Sequence, residues 1–482
     1  MVAGRMWGIA ASLLAMFMPA PAIVGQQATG QQPPTQQAPP PQAGGQQVAA
    51  PQEGGQRGGG RQGGGGGQPA APAILRPNPF ANVQFRSYII DDDVPRGALS
   101  QTSIYDVDGD GKPEIHVGGS GGNFIYKMQS VGRWTRYQVV KEKAPTDAGG
   151  LLTDVDGDKD GDIVAGSAWY RNPGNLNTTW ERFDYDPDNA AVHDQIMVDV
   201  DKDGRLDMVT MSDRNNLRWY TIPKDPTQRW TRHDIGPALH GGVAPHGFGD
   251  IAGKGFVDVV RVDVWFENVK GDGTEWRQHP LGPFPDLPAG EPAWADNAAR
   301  AWVADLNGDG RNDVVQSVEE FRPATIWWME NLGVGPKGEI QWRRHYIAGL
   351  DRVMGGLHSL GVADFTGDGK LDVYTAEYDW QRARPGPNGE ESPRYFLYEN
   401  LGVGPAWDGP AATVRFKEHV IADINLGGHE DAIGDVTGDG KIDIVSKPWA
   451  TSPKNALGGR AYVLILENLS TPPQPTPPTA PK

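Results

Sequence analysis

The chain has 482 residues, 61 of them acidic and 44 basic, for a formal charge of −17, and it contains no cysteine. Its length allows two to four ordinary domains or one large repeat array, and its acidity argues against nucleic acid as a partner. Without cysteine there is no disulfide framework, thiolate metal site, cysteine nucleophile or lipid-modified amino-terminal Cys.

Residues 1–22 read as a secretory signal peptide, with Arg5 as the positive region, Trp7 to Met18 as a short apolar core and Ala20-Pro21-Ala22 as a cleavage box. That core is too short to span a bilayer and no other apolar run is long enough, so the mature chain is expected to have no transmembrane span and to be secreted or periplasmic. Residues 23–80 are a Gln-, Gly- and Pro-rich spacer with too little large apolar surface to offset chain entropy. Residues 471–482 form a stiffer Pro-rich tail.

Between these ends one acidic motif recurs: "DVDGDGKPEI" at Asp106, "DVDGDKDGDI" at Asp154, "DVDKDGRLDM" at Asp199, "DIAGKGFVDV" at Asp250, "DLNGDGRNDV" at Asp305, "DFTGDGKLDV" at Asp364 and "DVTGDGKIDI" at Asp435. The intervals of 48, 45, 51, 55, 59 and 71 residues lengthen as the connecting loops grow. An aromatic, β-prone run precedes each loop (Phe85, Trp134, Trp180, Trp230, Trp276, Trp342, Phe416), and an aromatic strand such as "TIWWMENLG" follows several of them. Helical periodicity is nearly absent.

Each unit therefore holds about four short strands, and seven such units predict an all-β, seven-bladed β-propeller over residues 83–470. The chain starts with a Trp-type strand at Phe85 and ends with an aromatic ENL strand, so pairing the two completes the seventh blade and closes the ring.

Acids at positions 1, 3, 5 and 9 of the motif, with Gly at 6 for a sharp turn, put several oxygens around one centre and suit a hard cation, Ca²⁺ before Mg²⁺. The candidate ligands are Asp106, Asp108, Asp110 and Glu114; Asp154, Asp156, Asp158 and Asp162; Asp199, Asp201, Asp203 and Asp207; Asp305, Asn307, Asp309 and Asp313; Asp364, Thr366, Asp368 and Asp372; and Asp435, Thr437, Asp439 and Asp443. An EF-hand is excluded because position 12 is Val117, Ala165, Thr210, Gln316, Thr375 or Ser446 rather than Glu, and a strand follows instead of a helix.

These repeats resemble FG-GAP or VCBS repeats, the calcium-loop blades of integrin-alpha-like propellers. The resemblance implies several structural Ca²⁺ ions. The neutral Asn307, Thr366 and Thr437 at position 3 of loops 5 to 7 are expected to weaken affinity there. Lys159 takes the place of the position-6 Gly in loop 2, a left-handed position expected to cost about 1 kcal/mol. In loop 4, Ala252 and Lys254 replace two ligands, and the Lys254 ammonium is expected beside Asp250 and Asp258 as a substitute for the ion.

Residues that precede the inner strands, or follow the second strands, should surround the channel mouth on the face opposite these loops. The candidate catalytic residues there are His193, His358, His429, Arg300, Lys447 and Glu377, with His240, His246, Tyr378 and Trp449 as ligand-binding candidates. His193, His358 and His429 each stand six residues before position 1 of their loop, where other blades have Ser100, Ala148, Ala244 and Ala299, so the repeat does not require His. The first functional expectation is a module that binds an extracellular glycan or protein at this mouth. The second is a sugar dehydratase or polysaccharide lyase, in which a His abstracts a proton while Lys447 or Arg300 stabilises the oxyanion and Trp449 or Tyr378 stacks on a sugar. By architecture alone, the mouth is similar to the propeller domain of aldos-2-ulose dehydratase and to some polysaccharide lyases.

Overall fold

A computed structural model describes residues 82–95, 99–142, 150–282, 299–318, 324–349, 354–378, 393–405 and 412–472. The expected signal peptide, the spacer and the tail from residue 473 lie outside them. Among the described residues, every regular element is a β-strand, and no helix is long and apolar enough to cross a membrane.

The strands form seven sheets arranged as the blades of a β-propeller. Blade 1 runs Leu99–Tyr105, Glu114–Gly119, Gly122–Ser130 and Arg133–Val140, each strand antiparallel to the next. The first strand enters the acidic loop, the second leaves it, the third is the aromatic strand and the fourth carries Trp134. Blades 2 to 6 repeat this order from inner strands at Gly150–Thr153, Val192–Val198, Phe248–Gly249, Ala299–Ala304 and Ser359–Ala363.

Blade 7 takes Ala432–Gly434, Asp443–Ser446 and Val463–Asn468 from the carboxyl end and Phe85–Asp91 from the amino end. The closing pair runs in register from Phe85 opposite Asn468 to Ile89 opposite Leu464, so the ring closes as the two incomplete ends predict.

Blade 4 departs from the common pattern. Its inner strand is interrupted, and Pro245–His246 pairs in parallel with Ala301 and Trp302 of blade 5 instead of with its own blade. Proline has no amide hydrogen to give the ladder, which is why the strand breaks there.

The core lies between facing sheets. Trp169 of blade 2 is buried with Met208 and Tyr220 of blade 3, and Tyr185 stacks on Trp230 at 4.2 Å between ring centres. Trp180 and Trp230, which sit just before the outer strands, are 3% and 4% exposed, which makes them packing residues between blades.

A second element ties the blades at the loop side. The residue that ends the third-strand motif is Asn172, Asn268, Asn331, Asn400 or Asn468, and each donates its side-chain amide to the carbonyl of position 2 in the preceding blade's loop. The bonds are Asn172 to Val107 (2.9 Å), Asn268 to Val200 (3.0 Å), Asn331 to Ile251 (3.2 Å), Asn400 to Leu306 (3.2 Å) and Asn468 to Phe365 (2.9 Å). These are buried bonds across a non-covalent seam, so losing one strands a carbonyl. We expect Asn331→Ala to lower unfolding stability by about 1–3 kcal/mol in a urea titration; a loss within error of zero would show that the seam is held without it.

Candidate functional site

At the loop face, the position-1 carboxylate anchors its own turn. Asp305 accepts the backbone N–H of Asp309 (3.0 Å) and of Gly310 (2.8 Å), and Asp106 does the same for Asp110 and Gly111. Positions 4 and 6 are both left-handed, for example Gly308 (φ 75°) and Gly310 (φ 85°), although a Cβ there would meet nothing within 4 Å. Backbone conformation alone selects glycine. Lys159 adopts φ 80°, the strained position expected from its place in the motif, and Lys202 at position 4 of loop 3 adopts φ 63°.

Position 9 begins the second strand and is buried. Asp313 accepts the N–H of Leu306 (3.1 Å) and of Asn331 (2.8 Å), and Asp162, Asp258, Asp372 and Asp443 are held in the same way. Burial pushes Asp162, Asp207, Asp258, Asp313 and Asp372 up to about 7 and Asp443 to about 6, despite those hydrogen bonds.

The donor set fits a hard cation. Asp106, Asp108 and Glu114, then Asp154, Asp156 and Asp162, then Asp199, Asp201 and Asp203 each bring three carboxylate oxygens within 4.8 Å of one another. The hydroxyls of Thr366 and Thr437 lie against the carboxylates of Asp372 and Asp443 and add neutral oxygens to the donor set. The expectation for Lys254 needs correction, because its ammonium bonds the carboxylate of Glu267 on the third strand, while only its backbone N–H meets Asp250 (2.8 Å). The side chain is long enough to reach that better-placed acid.

On the opposite face, eight of the ten expected mouth residues come together. His193 stacks edge-on against His240 (4.3 Å between ring centres) and lies 6.2 Å from His358, which stacks on His429 at 3.8 Å with the ring planes 24° apart. Tyr378 stands edge-on to His429 at 5.2 Å, and Trp449 lies 5.3 Å away. His193, His358 and His429 are 2–3% exposed, whereas His240 and Trp449 are half-buried at the rim. His240 Nδ1 is 3.0 Å from the Asp213 carboxylate.

Beneath the rings runs a buried charge network. His193 donates to Asp194 (2.8 Å), and Asp194 also accepts the N–H groups of Val243 (2.7 Å) and Ala244 (2.8 Å). Arg300 bridges Asp194 (3.3 Å) and Glu430 (3.0 Å), joining blades 3, 5 and 7. Burial would raise Asp194, but the His193 bond and the Arg300 guanidinium hold it well below the usual carboxylate range. Glu430, by contrast, is pushed up by burial.

The Lys447 ammonium donates to His429 Nδ1 (3.1 Å) and to the Leu99 carbonyl (2.9 Å), and burial lowers it to about 8. Burial, followed by the neighbouring His358 and Lys447, keeps His429 neutral near pH 7. Burial and then Arg300 do the same to His358. A weakened cation against a neutral imidazole is the kind of perturbed pair found where ligands or reactions are handled.

Two expected residues stand apart. Glu377 is fully buried, and its carboxylate accepts the N–H of Gly355 (3.0 Å) and of Arg394 (2.9 Å) and pairs with the Arg394 side chain (3.2 Å), so it braces the loop under Tyr378. His246 is sandwiched between Phe248 (4.1 Å) and Trp302 (5.0 Å) and lines the channel below the mouth. That channel widens into a cavity of about 320 Å³ bounded by Thr102, Gln195, His246, Arg300, Trp302 and Glu430. Trp302 was missed from sequence; its place in strand Ala299–Ala304, two residues after Arg300, marks the same inward face.

Residues 106–165 and 305–375 match the FG-GAP-like repeat family. A comparison with curated proteins finds none that matches. Among solved structures, the chain is similar to an Agrocybe aegerita lectin described as recognising non-reducing terminal N-acetylglucosamine, at 17% identity and a TM-score of 0.46, with 78% of this chain and 86% of that one covered. It is also similar to the Tc holotoxin pore of Photorhabdus luminescens, at 14% identity and a TM-score of 0.35, covering 82% of this chain and 15% of that one. Neither likeness carries a functional conclusion across. Repeat motif, blade count and closure agree: the chain is a seven-bladed β-propeller carrying FG-GAP-like repeats.

Proposed function

We propose that this is an exported propeller, stiffened by Ca²⁺ in its acidic loops, that binds an extracellular glycan at the channel mouth. The observation that carries this reading is the row of rings from His240 through His193, His358 and His429 to Trp449, ending in half-buried rings at both rims. A sugar presents an apolar ring face and several hydroxyls, and this surface offers flat rings beside neutral imidazoles that both donate and accept hydrogen bonds. The amino-terminal pattern supports export, and the all-oxygen loops support Ca²⁺ over softer metals.

The Lys447–His429 contact favours a second reading, elimination on a keto-sugar or uronate, because it sets a neutral base beside an amine lowered to about 8. One set of measurements separates the two. The full chain is applied to a glycan array and, in parallel, to a panel of keto-sugars and uronates, with Trp449→Ala and His429→Ala as variants. Array binding that Trp449→Ala reduces at least tenfold, with no turnover, supports the binding module. Turnover that His429→Ala abolishes assigns the lyase or dehydratase, and neither signal from a folded chain rejects both.

A further inference from the structure

The strand pairing identifies one equivalent third-strand residue in each blade, and in blades 1, 2, 4 and 5 its side chain meets a residue of that blade's acidic loop. Position 10 of the loops pairs with Tyr126, Tyr170, Tyr220, Phe266, Met329, Tyr398 and Leu466, so the next residue occupies a common place. Those residues are Lys127, Arg171, Thr221, Glu267, Glu330, Glu399 and Glu467. Their charge varies with the residue at loop position 3.

Where position 3 is aspartate in loops 1 and 2, the third strand brings a cation. The Lys127 ammonium bonds Asp108 and lies 2.9 Å from Asp110 and 3.3 Å from Glu114, and Arg171 lies 3.1 Å from Asp156. Where position 3 is the neutral Asn307, Thr366 or Thr437, the third strand brings a glutamate, and Asn307 meets Glu330 at 3.5 Å. By this equivalence loops 5, 6 and 7 would regain the fourth carboxylate that loop 3 holds within itself, in acids that also bond His345, His419 and Tyr88 of the fourth strand. Loop 4 pairs its own Lys254 with Glu267.

We propose that, where the loop itself keeps its ligands, this third-strand residue decides whether it takes a divalent cation: loops 3, 5, 6 and 7 bind one each, with Glu330, Glu399 and Glu467 restoring the charge, while Lys127 and Arg171 serve as built-in cations in loops 1 and 2, and loop 4, with Ala252 and Lys254 in place of two ligands, binds none. The ordering reverses the expectation from the loop sequences alone, in which loops 5 to 7 are the weak ones. An ammonium within salt-bridge distance of three loop acids competes directly for the oxygens an ion needs. The buried Thr366 side chain, 1% exposed, lies against the Asp372 carboxylate within loop 6. The inference rests on the Ca²⁺ reading above.

The test is a bound-metal count on the full chain, stripped with chelator, reloaded with Ca²⁺ alone and desalted, for wild type, Lys127→Gln and Glu399→Gln. Thermal melting of each variant serves as the fold control. The expected result is four ions in wild type, one more in Lys127→Gln, and a loss of one ion, or a tenfold weaker Ca²⁺ titration step, in Glu399→Gln. A folded wild type with no bound ion overturns the Ca²⁺ reading itself. Six ions in wild type, or counts and titration curves identical in all three folded proteins, overturn the third-strand assignment while leaving that reading intact.

Discussion

Replacing Arg300 by leucine is expected to lower stability by about 3–5 kcal/mol, the usual consequence of removing one partner from a buried ion network. Its guanidinium is 5% exposed and lies between the carboxylates of Asp194 and Glu430, which are 0% and 7% exposed. Leucine leaves both acids in a low-dielectric interior with no cation between them. Asp194 keeps the His193 bond and two backbone N–H groups; Glu430, already raised by burial, is raised further once the Arg300 charge is gone.

The double variant Arg300→Leu/Glu430→Gln should therefore recover part of the loss, since it removes the acid that the first change strands. Urea unfolding of the wild type, both single variants and the double variant closes the cycle. A loss under about 1 kcal/mol for Arg300→Leu, or strict additivity, would mean that the network does not join blades 3, 5 and 7 energetically.

That network explains why the fold was more legible in the sequence than the site. The repeat of Asp106, Asp154, Asp199 and their equivalents is local, and alternation plus turn chemistry is enough to lay four strands around each copy. Even ring closure shows in the sequence, because the outer-strand run at Phe85 and the last ENL run each supply what the other's repeat lacks. The mouth is different in kind. Arg300 meets residues 106 positions earlier and 130 later in the chain, a pairing set by the angles between blades and by no local pattern. Glu377 shows the opposite failure: its position after the second strand pointed to the mouth, but its acid is satisfied by Arg394, 17 residues on, in a segment with no repeat signature.

The inter-blade asparagines illustrate a middle case. Asn331 and Asn400 stand in visible "ENLG" copies, so the signal was present, but their bonds run to carbonyls 80 and 94 residues earlier. A residue that recurs at the same strand end in five of the seven blades is as much a seam as a turn. The third-strand residue just before it carries information that the loops alone do not: read by loop composition, loop 1 is a complete ion site with acids at positions 1, 3, 5 and 9, yet Lys127 folds into it.

Withdrawing divalent ions should have the largest effect on the whole molecule, and pH should reveal its origin. An ion bound only by the folded state at a hundred times its dissociation constant contributes about 2.7 kcal/mol per site, so several sites together rival the total stability of an ordinary domain. Excess chelator at pH 7.5 is therefore expected to lower the melting temperature by 10 °C or more, on the order of what a few kcal/mol does in a chain this size. In chelator, Asp207, Asp313 and Asp372 have folded values near 7, against about 3.9 in an unfolded chain. Between those values the folded state binds more protons than the unfolded one, so stability falls as pH rises from about 4 to 7, and acidification from 7.5 toward 5.5 should raise the melting temperature of the stripped protein. With Ca²⁺ in excess the slope should reverse, because protons then compete with the ion for the same oxygens. Differential scanning calorimetry across that range, with and without Ca²⁺, reads both signs. Parallel pH profiles in the two conditions would show that the buried position-9 acids are not coupled to an ion.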